Sequence, residues 1–416
     1  MRIAIVGAGI SGLSAAFVLS RAHEVTLFER EPRLGGHAHT HDVAVGGRPL
    51  AVDTGFMVFN ARTYPNFLTL LASLGVESRA SDMSFGVRCR RCGLEYSSLG
   101  PAGLFAQPRR ALDPRHWTML ADVARFFRAG QDALVDGSAE GLSLGAFLDR
   151  HGFGPGLVRH FILPMGGAIW SASSADMRAF PALSFLRFFD NHGLLAATGQ
   201  PTWRTVAGGS RAYVQAIARR LDGAVRAGLP VARILRDADG VAVRTVNGET
   251  TRHDHVVIAT HADEALALLG DPSDAEREAL GRFRYSTNDT WLHTDASLLP
   301  RARGARASWN CDLADCEADG APVSVTYDLS RLQGLGDEPR VLCSLNPVAP
   351  VGGEVLARMT YTHPILDRAA FEGQALVARL NGQRRTHYCG AHLRYGFHED
   401  GLVSALAVTR AFGLDL

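Results

Sequence analysis

Three glycines and one carboxylate near the start of the chain have the types and spacing to hold a dinucleotide: Gly7, Gly9, Gly12 and Glu29. In a Gly-x-Gly-x-x-Gly turn the first glycine permits the tight bend and the second lets backbone N–H groups approach a pyrophosphate. The third allows close helix–strand packing. Ile10 and Ser11 open the helix that follows, whose N-terminus favours negative charge. Glu29 falls at the end of the next strand-like run, where a carboxylate accepts hydrogen bonds from both hydroxyls of an adenosine ribose and repels a 2′-phosphate. NADP is therefore disfavoured at this site.

Other residue types invite chemistry of their own. His37, His39 and His41 alternate and could share one face of a strand, which raises a metal reading. They sit beside a glycine pair, Gly35 and Gly36, so hydrogen bonding on the cofactor side is the preferred role. Cys89 and Cys92 form a C-x-x-C pair, and Cys311 and Cys316 a C-x4-C pair. The second pair lacks a knuckle-like flank, so ordinary thiols are expected rather than zinc, and no metal is expected.

The elements that position these residues are legible from periodicity. Ile3–Val6 and Val25–Phe28 are strand-like, and Ile10, Leu13 and Phe17 recur at helical spacing, which makes a βαβ unit. Residues from about 66 to 200 are largely helical, interrupted by strand patterns near 84 to 97. From 201 to 260 the chain returns to α/β character, strands follow from 283 to 346, and a last α/β piece closes the chain. No internal repeat and no second Gly-x-Gly-x-x-Gly appears, so a built-in NADPH site is not expected.

Whole-chain numbers bound the reading. With 416 residues, more than one ordinary domain is expected. A net charge of +1 gives no global field for nucleic acid. No apolar run approaches the roughly 18 residues that span a bilayer. Few cysteines and a nucleotide-binding strand at residue 3 point to a reducing cytoplasm, with peripheral association to the inner face of the cytoplasmic membrane as a further expectation. All 43 basic residues are arginine, so no lysine is available for catalysis.

Four separated segments, the opening glycine motif with Glu29, "RLGGH", "VVIATHAD" at 256–263 and "YCGAHLRYGFHEDGLVSAL" near the end, resemble the flavin-containing amine oxidoreductase superfamily. The resemblance implies FAD, held in a discontinuous Rossmann-like α/β domain (1–65, 200–270 and 380–416) into which a mixed α+β substrate domain (66–199 and 271–379) is inserted as a roof. It implies that Glu29 and Arg30 lie by the ribose, that Arg33, Gly35, Gly36 and His37 wrap the pyrophosphate side, and that Val231 meets adenine. Gly55, Phe56, Ala259 and Thr260 belong to the same contour, while Gly390, Glu399, Asp400 and Leu402 close over the ribityl and flavin. The family often has Gly-Asp where this chain has Gly390-Ala391, so that carboxylate contact is missing or is met by Asp400.

Many amine-oxidising members use a lysine near flavin N5, and this chain has none. Its wording at "GFHEDG", "LHTD", "SWN" and "TYDLSRLQ" is similar to a bacterial subgroup found alongside cyclopropane-fatty-acid-synthase-like methyltransferases and associated with furan fatty acid synthesis. That resemblance implies hydride transfer from an unsaturated or methyl-branched acyl chain of a fatty acid or phospholipid, as desaturation or isomerisation, with a lipid methyltransferase as a candidate partner. Two rival readings are an amine oxidase and a non-catalytic FAD-bound partner of such a methyltransferase.

Phe185, Phe188, Phe189 and Leu194 in "FPALSFLRFFDNHGLLAATG" are expected to line an acyl groove, to dip into a lipid surface, or to form a buried roof helix. Candidate bases are Tyr285, His293, Asp295 and His192, and Trp170 is a candidate wall of the site.

Overall fold

A computed structural model describes every residue except Asp319 and Ala321. Strand β1 (Arg2–Val6) is buried on both faces, which is why it reads as a continuous apolar run. Helix α1 (Ile10–Leu19) is buried along its whole length, and strand β2 (Glu24–Phe28) pairs parallel with β1. A Cβ added at Gly12 would sit 1.8 Å from the Gly7 carbonyl oxygen. The close packing therefore admits no side chain there.

The five-stranded parallel sheet runs in the order Val225–Arg226, β2, β1, His255–Ile258, Thr386–Tyr388. Its strands come from three distant stretches of sequence, as a discontinuous nucleotide domain requires. An antiparallel three-stranded meander, Val231–Arg236, Val241–Thr245 and Thr250–His253, lies in the chain between Val225–Arg226 and His255–Ile258.

The second large sheet has seven strands: Val355–Ile365, Arg284–His293, Leu342–Leu345, Val325–Asp328, Trp309–Leu313, Phe85–Cys89 and Glu95–Ser97, in that spatial order. All neighbours pair antiparallel except Trp309–Leu313 with Phe85–Cys89, which are parallel. Helices Pro114–Asp136, Leu144–Arg150, Leu163–Trp170 and Ala182–Asn191 complete this half. One apolar core packs α1 against one face of the parallel sheet, and the other joins the opposite face of that sheet, with Ala4, Val6, Val256 and Ile258, to the roof helices and the seven-stranded sheet.

Helix Pro65–Leu74 departs from the expected partition. Phe67, Leu70 and Leu71 pack into the nucleotide-side core. The reason is its N-terminus: Glu399 accepts from the amides of Asn66 (3.0 Å) and Phe67 (2.9 Å) and so ties it to the last helix, His398–Ala411. Among the described residues no helix is long and apolar enough to cross a membrane.

Candidate active site

One cavity of about 1490 Å³ runs from the glycine turn into the roof. At its nucleotide end are Gly7, Gly9, Ile10 and Ser11, with nothing within 4 Å of where a Gly9 Cβ would stand. Glu29 lines this end. One of its carboxylate oxygens accepts from the Ala8 amide (2.7 Å) and the other from the Glu31 amide (2.9 Å). Each oxygen keeps a lone pair for a further donor. Arg30, Val231, Ala259 and Thr260 complete this end.

Arg33 donates to the Gly36 carbonyl (2.8 Å), and Arg33, Gly36, His37, Gly55 and Phe56 continue the lining towards the roof. Gly36 packs on Gly9, its φ of +57° being left-handed backbone that glycine tolerates. Gly390 lines the far wall with its amide donating to Ser404. The buried Nε2 atom of His37 and the indole N–H of Trp309, both on cavity-lining residues, have no protein partner. Buried polar atoms of this kind call for a ligand to satisfy them.

Several sequence-derived assignments move. Gly12 and Gly35 support the turn from beneath and do not line the cavity. Glu399 is the cap of helix Pro65–Leu74. Asp400 accepts from the Phe397 amide (3.0 Å), pairs with Arg394 (3.3 Å) and does not line the cavity, and burial raises its pKa to about 6. Leu402 is fully buried in the nucleotide-side core.

His293 bonds Ser344 and the Asp295 amide, and Asp295 caps a short 3-10 turn and accepts from Gly352; neither lines the cavity. Trp170 donates to the Tyr395 carbonyl (3.1 Å) and packs among Phe180, Phe185 and Phe188 as core. Phe185 and Phe189 stack together at 4.1 Å inside the protein, whereas Phe188 and Leu194 reach the cavity wall. The phenylalanine-rich helix is therefore turned inwards.

Two candidate bases do line the cavity. The Tyr285 hydroxyl accepts from the Ala262 amide (2.8 Å) and its ring stacks on His261 at 4.3 Å. His192 Nδ1 lies 2.9 Å from the Phe188 carbonyl, an acceptor that requires N–H at this nitrogen and leaves Nε2 with its lone pair, 3.3 Å from the Thr63 hydroxyl. Of the alternating histidines, His39 and His41 each have one ring nitrogen engaged, by Tyr361 (2.9 Å) and Thr54 (3.1 Å), and among the described residues the buried Nε2 of His37 has no partner.

Tyr361, Thr362 and His363 of the strand Val355–Ile365, together with His392, line the cavity and were absent from the sequence-derived set. Burial holds His37 and His192 down at about 4, and His363 and His392 at about 3. These rings are neutral at physiological pH. The unfolded chain protonates the same groups below about 6.5, so between that pH and about 4 it binds more protons than the folded protein. Stability is accordingly expected to be full above pH 6.5 and to fall as the medium is acidified. The melting temperature should drop by several degrees from pH 7 to pH 5, and an unchanged value would contradict neutral burial of these rings.

The profile of the family described as "flavin containing amine oxidoreductase" matches residues 10–301. The chain belongs to this family of flavin oxidoreductases, and its cofactor is FAD. Among curated proteins it is similar to the flavin-dependent L-tryptophan oxidase RebO of Lentzea aerocolonigenes, 27% identical over 62% of this chain and 57% of that protein. It is also similar to the carotenoid phi-ring synthase of Streptomyces griseus, 29% identical over 64% of this chain and 53% of that protein. The matches thus span little more than half the length of these relatives.

Among solved structures, the CLA-producing fatty acid isomerase from P. acnes superposes with a TM-score of 0.71 at 18% identity, covering 99% of this chain and 98% of the other. Putrescine oxidase superposes at 0.70 with 13% identity, covering 99% of both chains. These likenesses establish the amine-oxidase-like fold, and substrate choice rests on the site itself.

Proposed function

We propose that the protein oxidises or isomerises an unsaturated or methyl-branched fatty acyl chain. The supporting observation is where charge lies along the cavity. Among the described lining residues the acidic and arginine side chains are Glu29, Arg30, Glu31, Arg33 and Glu264, all on the nucleotide-binding segments. The roof reach is walled by apolar and aromatic groups such as Met83, Leu104, Phe127, Phe161, Trp203 and Trp309, with no carboxylate among them. An amine needs a carboxylate or cage to offset desolvation of its cation, and an amino acid needs a cation for its carboxylate besides. A hydrocarbon chain needs neither.

Bound FAD supplies a two-electron acceptor that takes hydride at N5. The protein's part is to hold the chain extended, exclude water from any positive charge developing on carbon, and place a proton acceptor nearby. His192, neutral and set beside Phe188 on the apolar wall, is the group we assign to that proton. His192 would hold the proton lost in desaturation, and the apolar wall would keep the reacting carbons away from water while FAD supplied the hydride chemistry. A phospholipid headgroup would remain outside the uncharged reach, which makes association with a membrane surface part of the same reading, as is partnership with a lipid methyltransferase.

Anaerobic mixing of the yellow protein with methylated or polyunsaturated acyl lipids, and separately with polyamines and aromatic amines, tests it. Bleaching of the flavin by lipid with loss of two hydrogens, or rearranged lipid without net bleaching, is the expected result. Bleaching by amines alone would return the protein to amine oxidation. Inertness to both, with co-purification of a methyltransferase, would favour a non-catalytic partner.

A further inference from the structure

Away from the cavity, three segments far apart in sequence bring Cys89, Cys92, His160 and Cys316 together, with their ligand atoms all within 4.8 Å of one another. We propose that these residues form a tetrahedral Cys3His site for a structural zinc ion. It is separate from the FAD site and independent of the substrate assignment.

The distances fit one ion. Zinc–sulfur bonds of about 2.3 Å and zinc–nitrogen bonds of about 2.0 Å at tetrahedral angles separate neighbouring ligand atoms by about 3.5–3.8 Å. Cys92 Sγ and His160 Nε2 already stand 3.4 Å apart. An iron–sulfur cluster needs its thiolates spread around several atoms, and this cage holds a single ion.

The backbone is also shaped for it. Cys89 ends its strand, and its amide and carbonyl bond Leu94 (2.8 Å) and Gly93 (3.0 Å) to close a tight hairpin around the C-x-x-C. Gly93 takes a φ of +68°, the left-handed conformation that glycine allows after the second cysteine of a zinc knuckle.

The other two ligands arrive from opposite sides. His160 lies in a π-helical turn, Val158–Ile162, and the Tyr96 hydroxyl donates to its carbonyl (2.7 Å). Cys316 follows the strand Trp309–Leu313, which runs parallel to the cysteine-bearing strand. Ion pairs of Arg91 with Asp315 (2.8 Å) and of Arg159 with Glu317 (3.5 Å) clasp the same three segments.

Ordinary thiols and no metal are expected here from the sequence, and the C-x4-C pair does not come together as a unit. Cys311 is fully enclosed in the roof core and outside the cluster, while His160 takes the fourth place. All six cysteines are free thiols, and three of them converge here. An ion at this point would lock the π-turn, in which Phe161 beside His160 lines the apolar reach, to the strand whose first residue, Phe85, lines it too.

Protein purified from zinc-supplemented medium is expected to carry a single zinc per chain by plasma mass spectrometry. Exchange for cobalt(II) should produce thiolate charge-transfer absorption and the intense visible bands of a tetrahedral ion. Cys92→Ser and His160→Ala should lose the metal to a mild chelator while keeping FAD, the retained flavin showing that they are folded. Cys311→Ala should keep full zinc content. Wild-type protein that takes up neither ion, a disulfide among Cys89, Cys92 and Cys316 in freshly purified protein, or full zinc retention by both ligand variants would each overturn the site.

Discussion

Glu29→Ala protein is expected to purify nearly colourless, with FAD affinity lowered by about two to four orders of magnitude. Hydrogen bonds to a charged acceptor contribute about 1.5–3 kcal/mol each, and the carboxylate is positioned for two ribose hydroxyls. The same oxygens now receive the Ala8 and Glu31 amides, so the substitution also removes the brace between the glycine turn and the end of β2. Glu29→Gln separates these contributions. Its amide oxygen still accepts but its NH2 opposes a backbone donor, so binding should be intermediate and weaker than wild type. Flavin absorbance relative to protein absorbance after gel filtration reads the result, and full FAD retention by the alanine variant would mean that the ribose lies elsewhere.

The place of Glu29 beside the glycine turn was legible in the sequence because that turn fixes backbone geometry, and backbone geometry leaves a spacing signature. The same holds for the parallel strand around Val256–Ile258, a plain apolar run buried on both faces. The roof was legible only as composition. Tyr285 and His293 share a face of one strand, yet eight steps along the strand place them about 27 Å apart, and only the Tyr285 end faces the cavity. Periodicity reports the face and not the position along it.

Glu399 and Asp400 show another limit. Both are buried carboxylates beside the family's flavin segment, but one caps a helix that is distant in sequence and the other completes its own helix start. Either role needs an acid at a helix N-terminus, so residue type alone does not separate support from contact. For His160 and Cys316 the sequence carries no local signal. They meet the C-x-x-C only because a parallel strand pair and a π-turn bring them there.

Phe188→Asp is expected to abolish turnover of acyl lipids, by at least about a thousandfold, while FAD stays bound. Phe188 lies on the cavity wall, 4% exposed, stacked on His192 at 3.9 Å and on Phe397 at 5.0 Å. Placing a carboxylate there leaves it either ionised in an apolar reach without a lining arginine, which costs several kcal/mol, or hydrated by water that the reaction must exclude. Since about 1.4 kcal/mol is a factor of ten, a penalty of about 4 kcal/mol already accounts for the loss. Phe188→Leu keeps the surface apolar and should retain most of the activity, which separates polarity from packing. Flavin content and melting temperature distinguish a folded, inactive aspartate variant from an unfolded one; if the folded variant still turned lipid over at the wild-type rate, this wall would not touch the substrate. The nucleotide end should keep its cofactor, because its contacts come from the glycine turn, Glu29 and Arg33, so loss of lipid chemistry with an intact flavin spectrum is a result that an amine-binding cavity elsewhere in the molecule would not produce.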